Sequence, residues 1–401
     1  MTGVEAPRTY PFTPAERLEP DPGLRGCREE SGLVRVQMPY GRPAWLVTRY
    51  ADVRAVLGDN RFSRAMAIGD DEPRVYARSN TSVSMSTMDA PEHTRLRRVV
   101  MHAFTERRIR TLQADAESVA GRLLDEMETR GAPVDLVSAF AEPLPITVLC
   151  ELLGVPKADQ ADFWGWSVSL LSTAADLPAE QAMEARMRLG KYLASLVAQR
   201  RKEPADDLLS AMVQAKDEEE RLSEIELVKL GTTLLTAGVE TVSSQLVNAS
   251  YLLLTEPRLL NELVESPELI PNAVEELIRF VPIGVAGSMF ARVAKEDVEV
   301  GGTLVRAGEA VVTDVQGANF DPAVFPAPDR ADFTRKEAGA HLGFGHGPHH
   351  CIGSQLARME LRVGLEALLG RFPKLRLAVP ESELTWRTGV VRGPVELPVE
   401  W

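Results

Sequence analysis

Apolar positions along the chain repeat with two different periods, and the places where the period changes mark out its organisation. Leu33-Val34-Arg35-Val36-Gln37-Met38 and Ala44-Trp45-Leu46-Val47-Thr48 read as two short strands split by the turn formers Pro39, Gly41 and Pro43, which predicts a hairpin over residues 33–48. A helix is expected over Tyr50 to Leu57. From Ala65 to Ala90 periodicity is lost and Gly, Asp, Pro, Ser and Thr collect, predicting a long loop of the kind that usually carries function. From Pro91 to about Lys229 the pattern is mostly helical, with breaks at Gly131 to Pro133, Gly154 to Pro156 and Glu203-Pro204. After Pro282 it turns strand-like, through Val298-Glu299-Val300, a Gly301-Gly302 turn, Leu304-Val305 and Val311-Val312. A helix over Ser354 to Leu369 follows, and short strands return in the last thirty residues. No repeat, low-complexity tract or linker interrupts the 401 residues, so the pattern predicts a mainly α chain with small β-sheets, an α-rich α+β fold, in one domain over 1–401.

The longest periodic stretch, Leu222 to Thr255, opens with Ser223 and Glu226 spaced as a capping box and has Pro257 just past its end. Between Leu230 and Leu254 it holds a single charge, Glu240. Eight Thr, Ser, Gln and Asn residues from Thr232 to Asn248 make it too polar to span lipid, so a buried helix is expected. Composition agrees: 44% hydrophobic and 26% charged residues are ordinary for a soluble globular protein. The first twenty residues contain no apolar run of signal-peptide type. Three cysteines far apart in sequence suggest no disulfide framework and point to a reducing, cytoplasmic setting. A net charge of -13 argues against nucleic acid as a partner. No GxGxxG in strand-and-helix context is present, which predicts no fused flavin or nicotinamide domain.

Chemistry concentrates in Phe344-Gly345-His346-Gly347-Pro348-His349-His350-Cys351-Ile352-Gly353. Cys351 directly precedes a helix start, where free N–H groups and the positive dipole end stabilise a thiolate, the form that ligates or attacks. Gly345, Gly347 and Gly353 remove side chains where backbone must turn tightly or approach a flat partner. Two other readings stand beside this one. Four of the six histidines, His341, His346, His349 and His350, lie within ten residues of Cys351, which allows a zinc site. A cysteine can also be plain core, the expected state of Cys150 in the apolar run Ile146 to Leu153.

The loop fits F-x-x-G-x-x-x-C-x-G, and with four further motifs in family order it resembles the cytochrome P-450 family over nearly the whole chain. Ala237-Gly238-Val239-Glu240-Thr241 is similar to that family's A-G-x-(D/E)-T segment, with Val242 where a second hydroxyl residue is common. Glu276 and Arg279 match its E-x-x-R, and Pro328-Asp329-Arg330 resembles its P-x-R-F with Ala331 in place of Phe. His93 and Arg97 match H-x-x-x-R. The resemblance implies that family's fold, with haem b (iron protoporphyrin IX) between a long central helix and the loop whose Cys351 ligates the iron. It implies cofactor contacts from Phe344, Gly345, Gly353, Ala237 and Gly238, and partners for the haem carboxylates in His93, Arg97, Arg292 and His349. Glu276, Arg279 and Arg330 would form a structural triad. Thr241 would donate a hydrogen bond to dioxygen while Glu240 relays protons; a threonine bonded back to its own helix is the plainer alternative, expected of Thr232 or Thr233.

The same resemblance implies a monooxygenase that uses O2 and electrons from a ferredoxin and ferredoxin reductase to hydroxylate or epoxidise a largely apolar small molecule. Natural-product, antibiotic-type biosynthesis is the expected setting; C–C or C–O coupling without oxygen insertion is the alternative outcome. Substrate contacts are expected from the 65–88 loop, from Trp164 to Ala175, Leu234 to Thr241, Ile283 to Phe290 and Gly389 to Val391, including Met85, Met88, Val239, Val285 and Met289. Arg95, Arg98, Arg107, Arg108 and Arg110 form the densest basic cluster, either a solvated face or a dock for an acidic ferredoxin. A cytoplasmic monomer with no membrane association completes the expectation.

Overall fold

The computed structural model describes residues 6–14, 16–75, 83–104, 106–171, 179–214, 222–284, 290–387 and 391–401. The chain divides into two compact units, each assembled from separate stretches of sequence: Met1–Glu92 with Pro271–Ile352 and Val390–Arg392, and His93–Ile270 with Gly353–Gly389 and Gly393–Trp401.

The first unit is built on a six-stranded mixed sheet, in the order Arg8–Thr9, Val34–Gln37, Ala44–Val47, Ala310–Thr313, Arg292–Ala294 and Phe62–Ser63. The expected hairpin is present, pairing Val34 with Leu46 and Val36 with Ala44. Side chains alternate between the two faces of a strand, so Ala44, Leu46, Ala310 and Val312 pack with Val34, Val36 and Met38 on one side. Val47 and Val311 pack on the other with Val53, Val56 and Leu57 of the helix Tyr50–Gly58. Burial on both faces explains why Ala310-Val311-Val312 is uninterruptedly apolar. Val298–Val300 and Thr303–Val305 form a separate hairpin whose two turn glycines, Gly301 (φ +54°) and Gly302 (φ +78°), supply the left-handed pair that the tight connection requires. The expected loop after Ala65 contains one 3₁₀ turn, Ala65–Ala67.

The second unit is helical. The long helix runs Glu224–Thr255, and its capping box is formed: Ser223 Oγ accepts from the Glu226 N–H and the Glu226 carboxylate accepts from the Ser223 N–H. It packs against Pro143–Leu153, Ala179–Lys202 and Ser354–Arg371. Gly364 lets three of these helices meet, since a Cβ there would stand 3.1 Å from Leu246 and 3.3 Å from Leu144. The break expected at Gly154 is a left-handed helix cap, φ +76°. Inside the stretch expected to be helical lies one short strand, Val134–Asp135, in a three-stranded sheet with Pro398–Glu400 and Arg376–Leu377. Among the described residues no helix is long and apolar enough to cross a membrane.

Candidate active site

In the first unit the cysteine loop is fixed by backbone. Leu342 N–H donates to Asn319 Oδ1 (2.7 Å), Gly345 N–H to the Leu342 carbonyl (2.7 Å), and Cys351 N–H to the Phe344 carbonyl (2.8 Å). Gly345 and Gly347 sit at φ +71° and +70°, and a Cβ on Gly347 would lie 2.6 Å from both Gly58 Cα and the Leu57 carbonyl oxygen. Cys351 is thereby held exposed, whereas Cys27 and Cys150 are buried and burial pushes their thiols up to about 11 and about 12. Cys150 is the inert core thiol that the sequence suggests.

The four loop histidines do not gather around a metal. His341 bonds Glu275 at 3.2 Å and accepts the Gly343 N–H, while His346 lies 3.4 Å from Arg54. Among the described residues no three His, Cys, Asp or Glu side chains converge on a metal position.

Behind the loop, the helix Ile270–Phe280 presents Glu276 and Arg279, both fully buried. Two 2.7 Å bonds join them, and the Arg279 guanidinium also donates to the carbonyls of Asn319 and Pro328 at 2.9 Å. Phe280, Phe320 and Phe325 surround it with ring centroids 5.2–5.6 Å away. The third member is Arg335, which corrects the expectation of Arg330. Arg335 Nε lies 3.0 Å from Glu276, and the Asp332 N–H fills a further site on the same carboxylate at 3.0 Å. Arg330 points its side chain to solvent and contributes only its carbonyl, which accepts from Arg279 and Arg335. The turn from Pro326 to Arg335 brings the later arginine inside, with buried Phe333 two residues before it as the one local signal.

In the second unit, His93 and Arg97 lie one turn apart on the helix Glu92–Ala103, His93 buried and Arg97 half-buried. On the long helix, Ala237 is exposed and Thr241 half-buried, about 40° apart around the axis. Thr241 Oγ1 donates to the Ala237 carbonyl at 2.7 Å, as Thr232 and Thr233 do to Val228 and Lys229. The back-bonded state expected only of Thr232 and Thr233 therefore holds at Thr241 too, because any helical threonine finds the i−4 carbonyl within reach. Its two lone pairs remain able to accept. Val239 is not a pocket residue: it lies about 200° from Ala237 around the axis and is buried in the helical core. Burial raises the Glu240 carboxyl above the usual range, with Arg387 opposing and Glu142 adding to the shift; these two bond to each other at 3.1 Å. Sequence reading did not single out Arg387 or Glu142.

Met85 is buried and Met88 half-buried. Val285 and Met289 lie outside the described residues, as do 76–82, 172–175 and 389–390 of the expected contact regions. In the basic cluster Arg95 pairs with Glu226 and Arg108 with Asp206, Arg98 and Arg110 are exposed, and the side chain of Arg107 is outside the described set.

A flat cofactor with two carboxylates fits these residues. Arg292 is 2% exposed, and among the described residues neither terminal nitrogen of its guanidinium has a hydrogen-bond partner. A buried cation so left calls for an anion. A Cβ on Gly353 would meet nothing within 4 Å, which leaves open space beside the loop.

Comparison with known proteins points the same way. The family profile described as Cytochrome P-450 matches residues 170–399. The chain is 50% identical to mycinamicin IV hydroxylase/epoxidase of Micromonospora griseorubida over the full length of both proteins. It is also 50% identical to nocardicin C N-oxygenase of Nocardia uniformis subsp. tsuyamanensis over 98% of each. A solved structure of the mixed-function P-450 MycG superposes with a TM-score of 0.94 at 49% identity, covering 99% of this chain and 100% of that one.

Proposed function

Because the chain belongs to the cytochrome P-450 family, we propose that it inserts one oxygen atom from O2 into a largely apolar small molecule during the biosynthesis of an antibiotic-type natural product. The chain is a monooxygenase with the P-450 fold, and its haem b, held through a cysteine thiolate, supplies the activation of O2 when bound. In this reading the thiolate is that of Cys351, and the observation that supports it is an exposed cysteine in a loop held by backbone hydrogen bonds and left-handed glycines.

Arg292, His349, His93 and Arg97 hold the haem carboxylates. Phe344, Gly345, Gly353, Ala237 and Gly238 face the macrocycle, and Glu276, Arg279 and Arg335 support the loop from behind. Thr241 accepts and passes a proton at its hydroxyl by turning away from the Ala237 carbonyl. Glu240 takes protons from solvent, its raised pKa keeping a larger share of the group protonated near neutrality. Met85, Met88, Val285 and Met289 line the substrate space. The chain works as one catalytic domain over 1–401, a cytoplasmic monomer reduced by a ferredoxin and its reductase. The relatives named for hydroxylation, epoxidation and N-oxygenation support oxygen insertion over coupling.

Two measurements test this. Cys351→Ala is expected to abolish the thiolate-type spectrum of the reduced CO complex, and an unchanged spectrum overturns the ligand. Turnover under isotope-labelled O2, starting from mycinamicin IV and nocardicin C as trial substrates, is expected to give product carrying one labelled oxygen. A product that has lost two hydrogens and gained no label would instead establish oxidative coupling.

A further inference from the structure

The strand Phe62–Ser63 pairs antiparallel with Arg292–Ala294, Phe62 opposite Ala294 and Ser63 opposite Val293. Continued by one residue, this register sets Arg64 opposite Arg292, and like charges directly opposite on neighbouring strands repel. Neither cation is free to escape into water. Among the described residues, buried Arg292 finds no partner for either terminal nitrogen, and Arg64 keeps its Nε out of solvent with none. Arg64 Nη1 donates to the Ser86 carbonyl at 2.8 Å, and its guanidinium lies 5.2 Å from the Phe290 ring centroid, so the side chain is held in place. The carboxylate of Asp89 attracts both cations through space, while its hydrogen bonds come from the Arg64 backbone N–H at 2.9 Å and the Ser63 hydroxyl. Two cations against one anion leave a net positive charge in a desolvated place, and desolvation lowers the pKa of Arg64 to about 10 and of Arg292 to about 9. Such an arrangement is stable only with a further anion.

We propose that Arg64 is an additional carboxylate-binding residue of the cofactor site, acting with Arg292 on the same haem carboxylate, with Asp89 as the positioning residue that holds the Arg64 backbone. None of the motifs that carry the resemblance includes Arg64. The inference rests on the haem-thiolate reading above, and on residues of one unit alone.

The test uses the haem-loaded protein. Arg64→Met removes the charge and keeps the length; Arg64→Lys keeps a cation but not the planar fork. Arg64→Met is expected to speed haem loss to a scavenging apoglobin about tenfold, the effect of one charge-assisted hydrogen bond, and to shift the propionate bending mode in resonance Raman spectra. Arg64→Lys is expected to recover part of both effects. A merely structural role would not move the propionate mode, and should Arg64→Met fail to fold, the Raman shift of Arg64→Lys decides. An intact thiolate spectrum with unchanged haem loss and an unchanged propionate mode overturns this proposal alone, whereas absence of a thiolate spectrum in the wild type overturns the reading beneath it. If haem loss stays at the wild-type rate while carboxylate ligands lose affinity and their methyl esters do not, the cradle belongs to substrate and the haem assignment falls.

Discussion

Glu276 and Arg292 belong to the same unit and are equally shut away from water, yet they are treated in opposite ways. Around Glu276 everything closes: Arg279, Arg335 and the Asp332 N–H occupy its oxygens, and Arg279 is finished by three carbonyls and three aromatic rings. At Arg292 the two terminal nitrogens meet no hydrogen-bond partner among the described residues, and the register continued by one residue sets another cation opposite it. A buried group that is fully met can only hold the fold together, while one left unmet is a place kept for something that is not protein. Cys150 and Cys351 differ along another axis, the first thiol being buried and the second exposed.

The sharpest way to break the contrast is to open the closed side. Glu276→Ala leaves two buried guanidiniums without their anion and is expected to cost about 3–5 kcal/mol, read as a lowered unfolding midpoint and loss of bound haem. Arg335→Ala should behave similarly. Arg330→Ala, whose side chain is already in solvent, should stay within about 0.5 kcal/mol of wild type; equal losses at 330 and 335 would restore the arginine that the sequence suggested.

On the working side, Thr241→Ala removes a hydroxyl whose proton is parked on its own helix, so folding and haem binding should be little changed. A positioned proton donor is worth about 10²–10⁴-fold, so product formed per electron should collapse while reducing equivalents are still consumed and leave as hydrogen peroxide. Wild-type yield per electron in this variant would assign the proton to Glu240 or to the substrate.

A subtler case is Glu360, fully buried on the helix Ser354–Arg371, where desolvation raises its carboxyl well above the ordinary 4.5. A raised folded pKa means that its contribution is fully present below the unfolded value and is lost as pH rises through the folded one. Glu360→Gln should therefore match wild type in acid and gain on it as pH rises above the ordinary 4.5, seen as a flatter curve of urea midpoint against pH. Parallel curves would show that the carboxyl has found a partner.

The smallest effect is expected at Arg98 and Arg110. Reversing both charges should slow reduction by a ferredoxin only a few-fold, and only at low salt. Rates that are identical at every ionic strength would make the cluster ordinary solvated surface.

What was legible in the sequence was local. The capping box at Ser223 and Glu226, the hairpin over 33–48 and the glycines of the cysteine loop each declare themselves within a few residues, and each stands in the structure where the pattern put it. What was not legible depends on the path of the chain. Arg330 and Arg335 are both arginines after Pro326; only the turn between them decides which one reaches Glu276. The opposition of Arg64 and Arg292 exists only once two strands far apart in sequence fall into register. At Val239 the period was right and the phase was wrong, because a motif names consecutive residues while a helix turns each to a different side.

Gly347 also has a meaning for anyone who would re-engineer this catalyst. Its Cα passes so close to Gly58 and the Leu57 carbonyl that main chain rests on main chain, and no side-chain repacking can relieve an intruding methyl group. Positions 58 and 347 should be varied together or not at all, since the main chain at the first fills the space that a side chain at the second would need.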